Sequence, residues 1–188
     1  MQADENTGAD IRLIERVVAR DASALSELYD RHSRLLYSLV LRILRDPSEA
    51  EETLQEVFVA VWLHGEKYDP SRGSPAGWLV GIARNRAVDR LRASARRPQE
   101  VEMAPWHPDT ADDPETRAAI GQRRQAIARA LDALPPGHRE LIEQAYFLGL
   151  TQAELSERHQ LPLGTVKTRI RSAMTLLRQQ LTQTYVVQ

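Results

Sequence analysis

Six residues near the end of the chain have the types and spacing to grip DNA: Thr165, Lys167, Thr168, Arg169, Arg171 and Ser172. Short hydroxyls reach phosphate oxygens or base edges, and guanidinium forks match the guanine acceptors of the major groove. A second, basic set lies upstream. There Asn85, Asp89, Arg92 and Arg96 recur at helical spacing, with Arg84, Arg86, Arg90 and Arg97 among them. Blandly this is a charged surface helix; functionally it faces a polyphosphate with polar groups able to touch bases. A third set, Glu51, Glu52, Gln55 and Glu56, forms an acidic helix face. Such a face is ordinarily just solvated, yet beside a DNA-binding segment it also suits a basic protein partner.

The elements that must position these sets are all helical. Thr151 and Glu154 make a capping box that opens a short helix, with Ala153 small enough for close approach and Leu155 and Leu161 at its corner. After the corner, Val166, Ile170, Ala173 and Leu177 form one buried stripe. That is a helix-turn-helix, and the hydroxyl-cation set sits on its recognition helix. Its corner residues, His159 and Gln160, include no glycine, which costs about 1 kcal/mol if the turn is left-handed. Farther forward, Met1 to Gly8 reads as frayed, and Ile11, Ile14, Val17 and Val18 mark a short helix ending near Asp21. Leu25, Leu28, Tyr29, His32, Leu35, Leu36, Leu39, Val40 and Ile43 mark a long one, with His32 as a hydrogen-bonded core histidine. Asp46-Pro47-Ser48-Glu49 starts the acidic-faced helix, which buries Leu54, Val57, Phe58, Val61 and Trp62. After a loop rich in turn signals, Ser74-Pro75 caps the basic helix, with Trp78, Leu79, Ile82 and Ala83 inward.

Arg97 to Arg117 holds four prolines and the acids Asp109, Asp112, Asp113 and Glu115, so it reads as an extended linker. The expected fold is all-α: two small helical domains joined by an acidic, proline-containing linker, the second a helix-turn-helix. The expected boundaries are residues 9–97, 98–117 and 118–184. Composition narrows the function. A net charge of −1 over 188 residues means that DNA affinity must come from local segregation of charge. With no cysteine, disulfides and thiolate metal sites are excluded. The absence of a signal segment and of a long apolar run suggests a soluble, cytoplasmic protein with no membrane insertion. The acids and histidines show no metal or triad spacing and no glycine-rich phosphate loop occurs, so an enzyme, a bound metal or a cofactor is not expected.

Three blocks carry a family resemblance: DPSEAEETLQEVFVAVW (Asp46 to Trp62), YDPSRGSPAGWLVGIARNRAVDRLR (Tyr68 to Arg92) and LPPGHRELIEQAYFLGLTQAELSERHQLPLGTVKTRIRSA (Leu134 to Ala173). In this order they resemble bacterial sigma factors of the extracytoplasmic-function group of the sigma-70 family. The resemblance implies that Glu51, Glu52, Gln55 and Glu56 meet the clamp of the largest subunit of core RNA polymerase, and that the rear domain meets the second-subunit flap. It implies that Tyr68, Asp69, Ser71 and Arg72, with Arg84, Asn85, Asp89 and Arg92, handle the minus-ten element, one base of which is flipped from the stack. Thr165, Lys167, Thr168, Arg169, Arg171 and Ser172 would then read the minus-thirty-five duplex, and a cognate anti-sigma factor would silence the protein. Members often carry glycine near Gln160, a departure here. The competing reading is a stand-alone helix-turn-helix regulator, which binds its duplex site unaided as a dimer.

Overall fold

The structure, a computed structural model, describes residues 2–94 and 128–186, and the side chains of 6–94 and 128–180. The chain divides into two units, Met1–Trp106 and His107–Gln188. Among the described residues, the regular elements of both are helices. All of the expected linker, residues 98–117, lies outside those residues, as do Arg96 and Arg97.

In the first unit α1 spans Gln2–Val18, α2 Ala22–Leu44, α3 Pro47–His64 and α4 Pro75–Ser94, with a single 3-10 turn, Gly65–Lys67, after α3. Residues 2–8, expected to be frayed, therefore belong to α1. Burial of Asp10, Leu13, Ile14 and Val17 in the next turns gives that helix its tertiary anchor. It ends on Arg20 at φ 67°, with Arg20 N–H bonded to Val17 O at 2.9 Å and Asp21 N–H to Arg16 O at 3.0 Å. This is the paired 6→1 and 5→2 closure that usually takes glycine at the left-handed position.

Asp21 then caps α2, accepting from the N–H of Ser23 and Ala24. The Ser23 hydroxyl and then the Arg16 guanidinium hold its carboxyl down at about 2. The charged cap is thus fully formed above the ordinary aspartate pKa and is lost only as pH falls through about 2. Asp46 caps α3 as expected, accepting from Glu49 N–H at 3.0 Å, with Pro47 in the first turn.

The core is built from Leu28, Leu36 and Val40 of α2, Leu54, Val57 and Val61 of α3, and Leu79, Ala83, Ala87 and Val88 of α4. Leu35 and Tyr29 belong to the expected stripe of α2 but are 52% and 42% exposed, because the buried arc follows Ala24, Leu28, His32, Leu36 and Val40. His32 is indeed a bonded core histidine. Its Nε2 lies 2.8 Å from Asp10 Oδ2, and Arg31 reaches Asp10 Oδ1 at 3.0 Å. The partner sits on α1, which no local spacing reveals.

Arg90 of α4 turns inward and stitches α4 to α3. It donates to Thr53 Oγ1 at 3.0 Å and the Glu49 carbonyl at 3.4 Å, and it pairs with the carboxylates of Glu52 and Glu56. Thr53 is fully buried.

In the second unit a helical stretch at 128–132 precedes α5 (Pro136–Phe147), α6 (Gln152–Arg158) and α7 (Leu163–Val186). Leu141, Leu155 and Val166 form the core, with Ala145, Leu150, Leu161 and Ile170 against it. Thr151 and Glu154 complete the capping box at 3.2 and 2.6 Å. Ala153 is exposed, so close approach of the helices does not depend on it. Gln160 does take the left-handed corner, at φ 51°.

Arg90→Ala should remove the α3–α4 stitch and strand its buried acceptors, a loss of about 1–2 kcal/mol. The check is urea unfolding of the full chain: a lower midpoint with an unchanged slope.

Candidate nucleic-acid interface

The acidic face of α3 is divided in two by α4. Glu51 and Gln55 are exposed. Glu52 and Glu56 each give part of their charge to Arg90, and Arg86 lies 3.9 Å from Glu56. The same side continues along α3 into Val59 and Leu63, which are 55% and 50% exposed. Sequence reasoning passed over these two because α3 is apolar on most sides. The available signal was their spacing of four and eight from Gln55 and four from each other, continuing the acidic stripe.

Beyond α3 the chain turns through residues 68–74. The Tyr68 hydroxyl donates to the Gly73 carbonyl at 3.0 Å, and its ring packs at 5.4 Å from Trp78. Burial, then the carboxylates of Asp69 and Asp10, push the Tyr68 phenol up. Asp69 folds back on Ser71, accepting from its N–H at 2.9 Å and its hydroxyl at 2.7 Å. These bonds, with the Ser71 hydroxyl the larger cause, hold the Asp69 carboxyl below its ordinary range. Ser71 and Arg72 are exposed at the tip. Gly73 sits at φ 155°, where a side chain is strained.

A shallow groove opens between the end of α3 and the outer side of α4. Ala60, Trp78 and Ile82 provide its apolar surface; His64, Lys67, Asn85, Arg86 and Asp89 provide its polar one. The structure thus brings together two of the expected residues, Asn85 and Asp89. It adds six that were not in the expected minus-ten set: Ala60, His64, Lys67, Trp78, Ile82 and Arg86. Trp78 and Ile82, expected in the core, are half-buried because they line this surface. Arg84 donates to Asn85 Oδ1 at 3.2 Å, orienting the amide. Arg92 is exposed on the last turn of α4.

In the second unit the expected set divides by exposure. Lys167, Thr168, Arg171 and Ser172 stand on the open face of α7, while Thr165 and Arg169 are half-buried. Arg169 lies against α5, where a Cβ on Gly137 would come within 3.1 Å of its Nη1. The Thr168 hydroxyl donates to Gly164 O at 2.9 Å, leaving only its acceptor capacity outward. Leu163 and Met174, 41% and 55% exposed, add apolar surface to α7. Among the described residues no group of acids and histidines is arranged to hold a metal ion, and no helix is long and apolar enough to cross a membrane.

Comparison with known proteins agrees with this layout. Residues 28–97 match the family described as Sigma-70 region 2, and residues 130–179 match Sigma-70, region 4. The chain is 39% identical over 168 residues to the ECF RNA polymerase sigma factor SigK of Mycobacterium bovis, covering 88% of this chain and 90% of the relative. With SigK of Mycobacterium ulcerans it shares 40% identity over 172 residues, covering 90% and 92%. Among solved structures it is similar to Rhodobacter sphaeroides SigE in complex with the anti-sigma ChrR, at 35% identity and a TM-score of 0.48, covering 90% of this chain and 98% of that one.

The loop tip can be tested by titration. Asp69 should titrate below the ordinary aspartate range, so its charged turn is complete above that range and is lost as pH falls through the lowered value. Ser71→Ala should move the midpoint upward, read by carboxyl NMR of the full chain.

Proposed function

The chain belongs to the extracytoplasmic-function group of sigma-70 RNA polymerase sigma factors, and from that premise we propose how its surfaces share the work of directing the polymerase to promoters. As a specificity subunit it makes and breaks no bond itself. The proposed assignment gives residues 9–97 core binding and the minus-ten element, 98–117 the connection, and 118–184 the minus-thirty-five element. Polymerase and chromosome are both cytoplasmic, and so is this role.

The carrying observation is the groove beside α4. An unpaired base laid in it would rest its π face on Trp78 and Ile82, a contact open to any base. Its edge would then meet Asn85, a donor and acceptor, and Asp89, which accepts from an exocyclic amine. Lys67 and Arg86 stand where the flanking phosphates would pass. Extrusion of a base from the duplex costs a few kcal/mol, which the contacts made only to the unpaired base would offset. The loop residues Tyr68, Asp69, Ser71 and Arg72, with Arg84 and Arg92, extend this surface along the strand.

The outward side of α3, from Glu51, Glu52, Gln55 and Glu56 to Val59 and Leu63, offers the clamp first acid and then apolar contact. Complementary charge would speed encounter and set orientation. A cognate anti-sigma factor that covered this side would keep the protein from the polymerase; its exposed Val59 and Leu63 support that reading. In the second unit, which would also meet the second-subunit flap, Lys167, Thr168, Arg171 and Ser172 would enter the major groove, with Thr165 at the edge of the set. Arg171 is better placed for a base edge than Arg169, whose guanidinium rests on α5.

Run-off transcription with core polymerase and a library of genomic fragments tests the whole reading. Promoter-specific transcripts should appear only when the chain and core enzyme are both present. Tight, dimeric binding to duplex DNA without core enzyme would favour the stand-alone regulator instead. On a promoter so recovered, Asn85→Ala should depress strand opening while core affinity is unchanged. Arg171→Ala should cost about 1–3 kcal/mol at one upstream base position, whereas Arg169→Ala should weaken every promoter alike. Filter binding against single-base promoter variants separates the two.

A further inference from the structure

The corner between α1 and α2 carries a residue that its own helix does not require. Arg20 occupies the left-handed position that closes α1, at φ 67°, where glycine is the favoured residue and a Cβ is a burden. Its side chain does not serve that corner. Instead it crosses 42 positions in sequence, donating from Nη1 to the Trp62 carbonyl at 2.7 Å, and its guanidinium lies 5.4 Å from the centre of the Trp62 ring.

Trp62 is in the last turn of α3, where carbonyls have no partner within the helix and a cation is favoured by the helix dipole. Gln160, at the other left-handed corner described above, makes the contrast. Its amide bonds only its own turn, at the Glu157 carbonyl, 2.7 Å away. A second contact joins the same two places. Gly65, buried just after α3, packs so closely on α1 that an added Cβ would lie 3.1 Å from Val18 Cγ2. Immediately beside these contacts are His64 and Lys67, which form one wall of the groove.

We propose that Arg20 is a positioning residue for the base-holding groove, acting through the Trp62 carbonyl and ring to fix the corner that carries His64 and Lys67. The proposal rests on the reading of the groove as the seat of an unpaired base. Arg20 touches no base itself, and the polymerase-facing acids end at Glu56, six residues and about 9 Å before Trp62 along α3, so charge-steered binding to the polymerase should not depend on it.

The test uses the full chain assembled with core polymerase, and the probe is a single-stranded oligonucleotide carrying the non-template minus-ten segment of a promoter recovered by run-off. Arg20→Gly removes the clamp and relieves the left-handed turn. It should bind the oligonucleotide at least fivefold more weakly and open the duplex promoter more slowly. Core affinity should stay within twofold, and the melting temperature of the free chain should stay the same or rise. Arg20→Lys, which keeps a cation able to reach the Trp62 carbonyl, should recover part of the loss. Wild-type opening and oligonucleotide binding by the glycine variant would overturn the proposal. So would a fall in melting temperature and core affinity alongside strand binding, since the clamp would then serve general stability. If the wild-type holoenzyme initiates at the promoter but does not hold the oligonucleotide, the groove reading itself fails, a result distinct from either.

Discussion

The arrangement of the first unit turns on one guanidinium. On the proposed reading, helix α4 would show polar groups to a nucleic acid on one side while lying against a helix that would meet a protein on the other. Arg90 fixes that rotation, because its fork reaches Thr53 and a main-chain carbonyl in the α3–α4 seam and two carboxylates at the seam's edge. The exposed carboxylate pairs contribute little by themselves. The bonds to buried and main-chain oxygens are what make any other rotation of α4 costly, since they leave acceptors unsatisfied. With Arg90 turned inward, Asn85, Arg86 and Asp89 face the groove. Charge that looked available for DNA in the sequence is therefore partly consumed within the fold, as is acid that looked available for a protein partner.

The helix ends show a second constraint. Arg20, Arg45 and Gln160 all adopt positive φ just past a helix, where glycine is the residue without a steric penalty. The corner after α6 was expected to be strained for lack of glycine, and its φ of 51° bears that out. What compensates there is local: the Gln160 amide and the Ser156 hydroxyl both bond carbonyls of the same turn. At α1 the compensation comes from another helix. Similar local strain is thus held by different means, and the long-range one ties two elements together.

Much of this was legible before any coordinates. Caps at Asp46 and Thr151, the stripe through Val166 and Ala173 and the helix-turn-helix obey spacing rules that act over three or four residues, and such rules can be read directly from a string. The relations that escaped are all between helices. Asp10 and His32 form a buried pair 22 residues apart, and nothing within either helix hints at it. Arg169 looked like its neighbours until α5 was found beside it. His64 and Lys67 read as loop residues, and only the closeness of α4 makes them a wall of the groove. Leu35 illustrates the same limit from the opposite direction. Its periodic position is right, but the buried arc of α2 is set by where α1, α3 and α4 cross it, and Leu35 falls just outside.

The first unit also suggests why a small chain needs no moving part to connect its two tasks. Helix α3 carries in its first half the acids proposed to face the polymerase and reaches the groove at its end, through Ala60 and His64. From Glu52 to His64 is about 18 Å at 1.5 Å per residue, along one uninterrupted helix. Docking the acidic half on a larger machine would therefore place the groove at a set distance and angle, without a conformational change to transmit. The rod holds that relation only if its far end does not fray, and helix ends are where backbone carbonyls lack partners. Contacts at the end of α3, from α1 and from the 3-10 turn, would then contribute to function by keeping the last turn wound. On that proposal their value would lie in the precision of the groove more than in the stability of the fold.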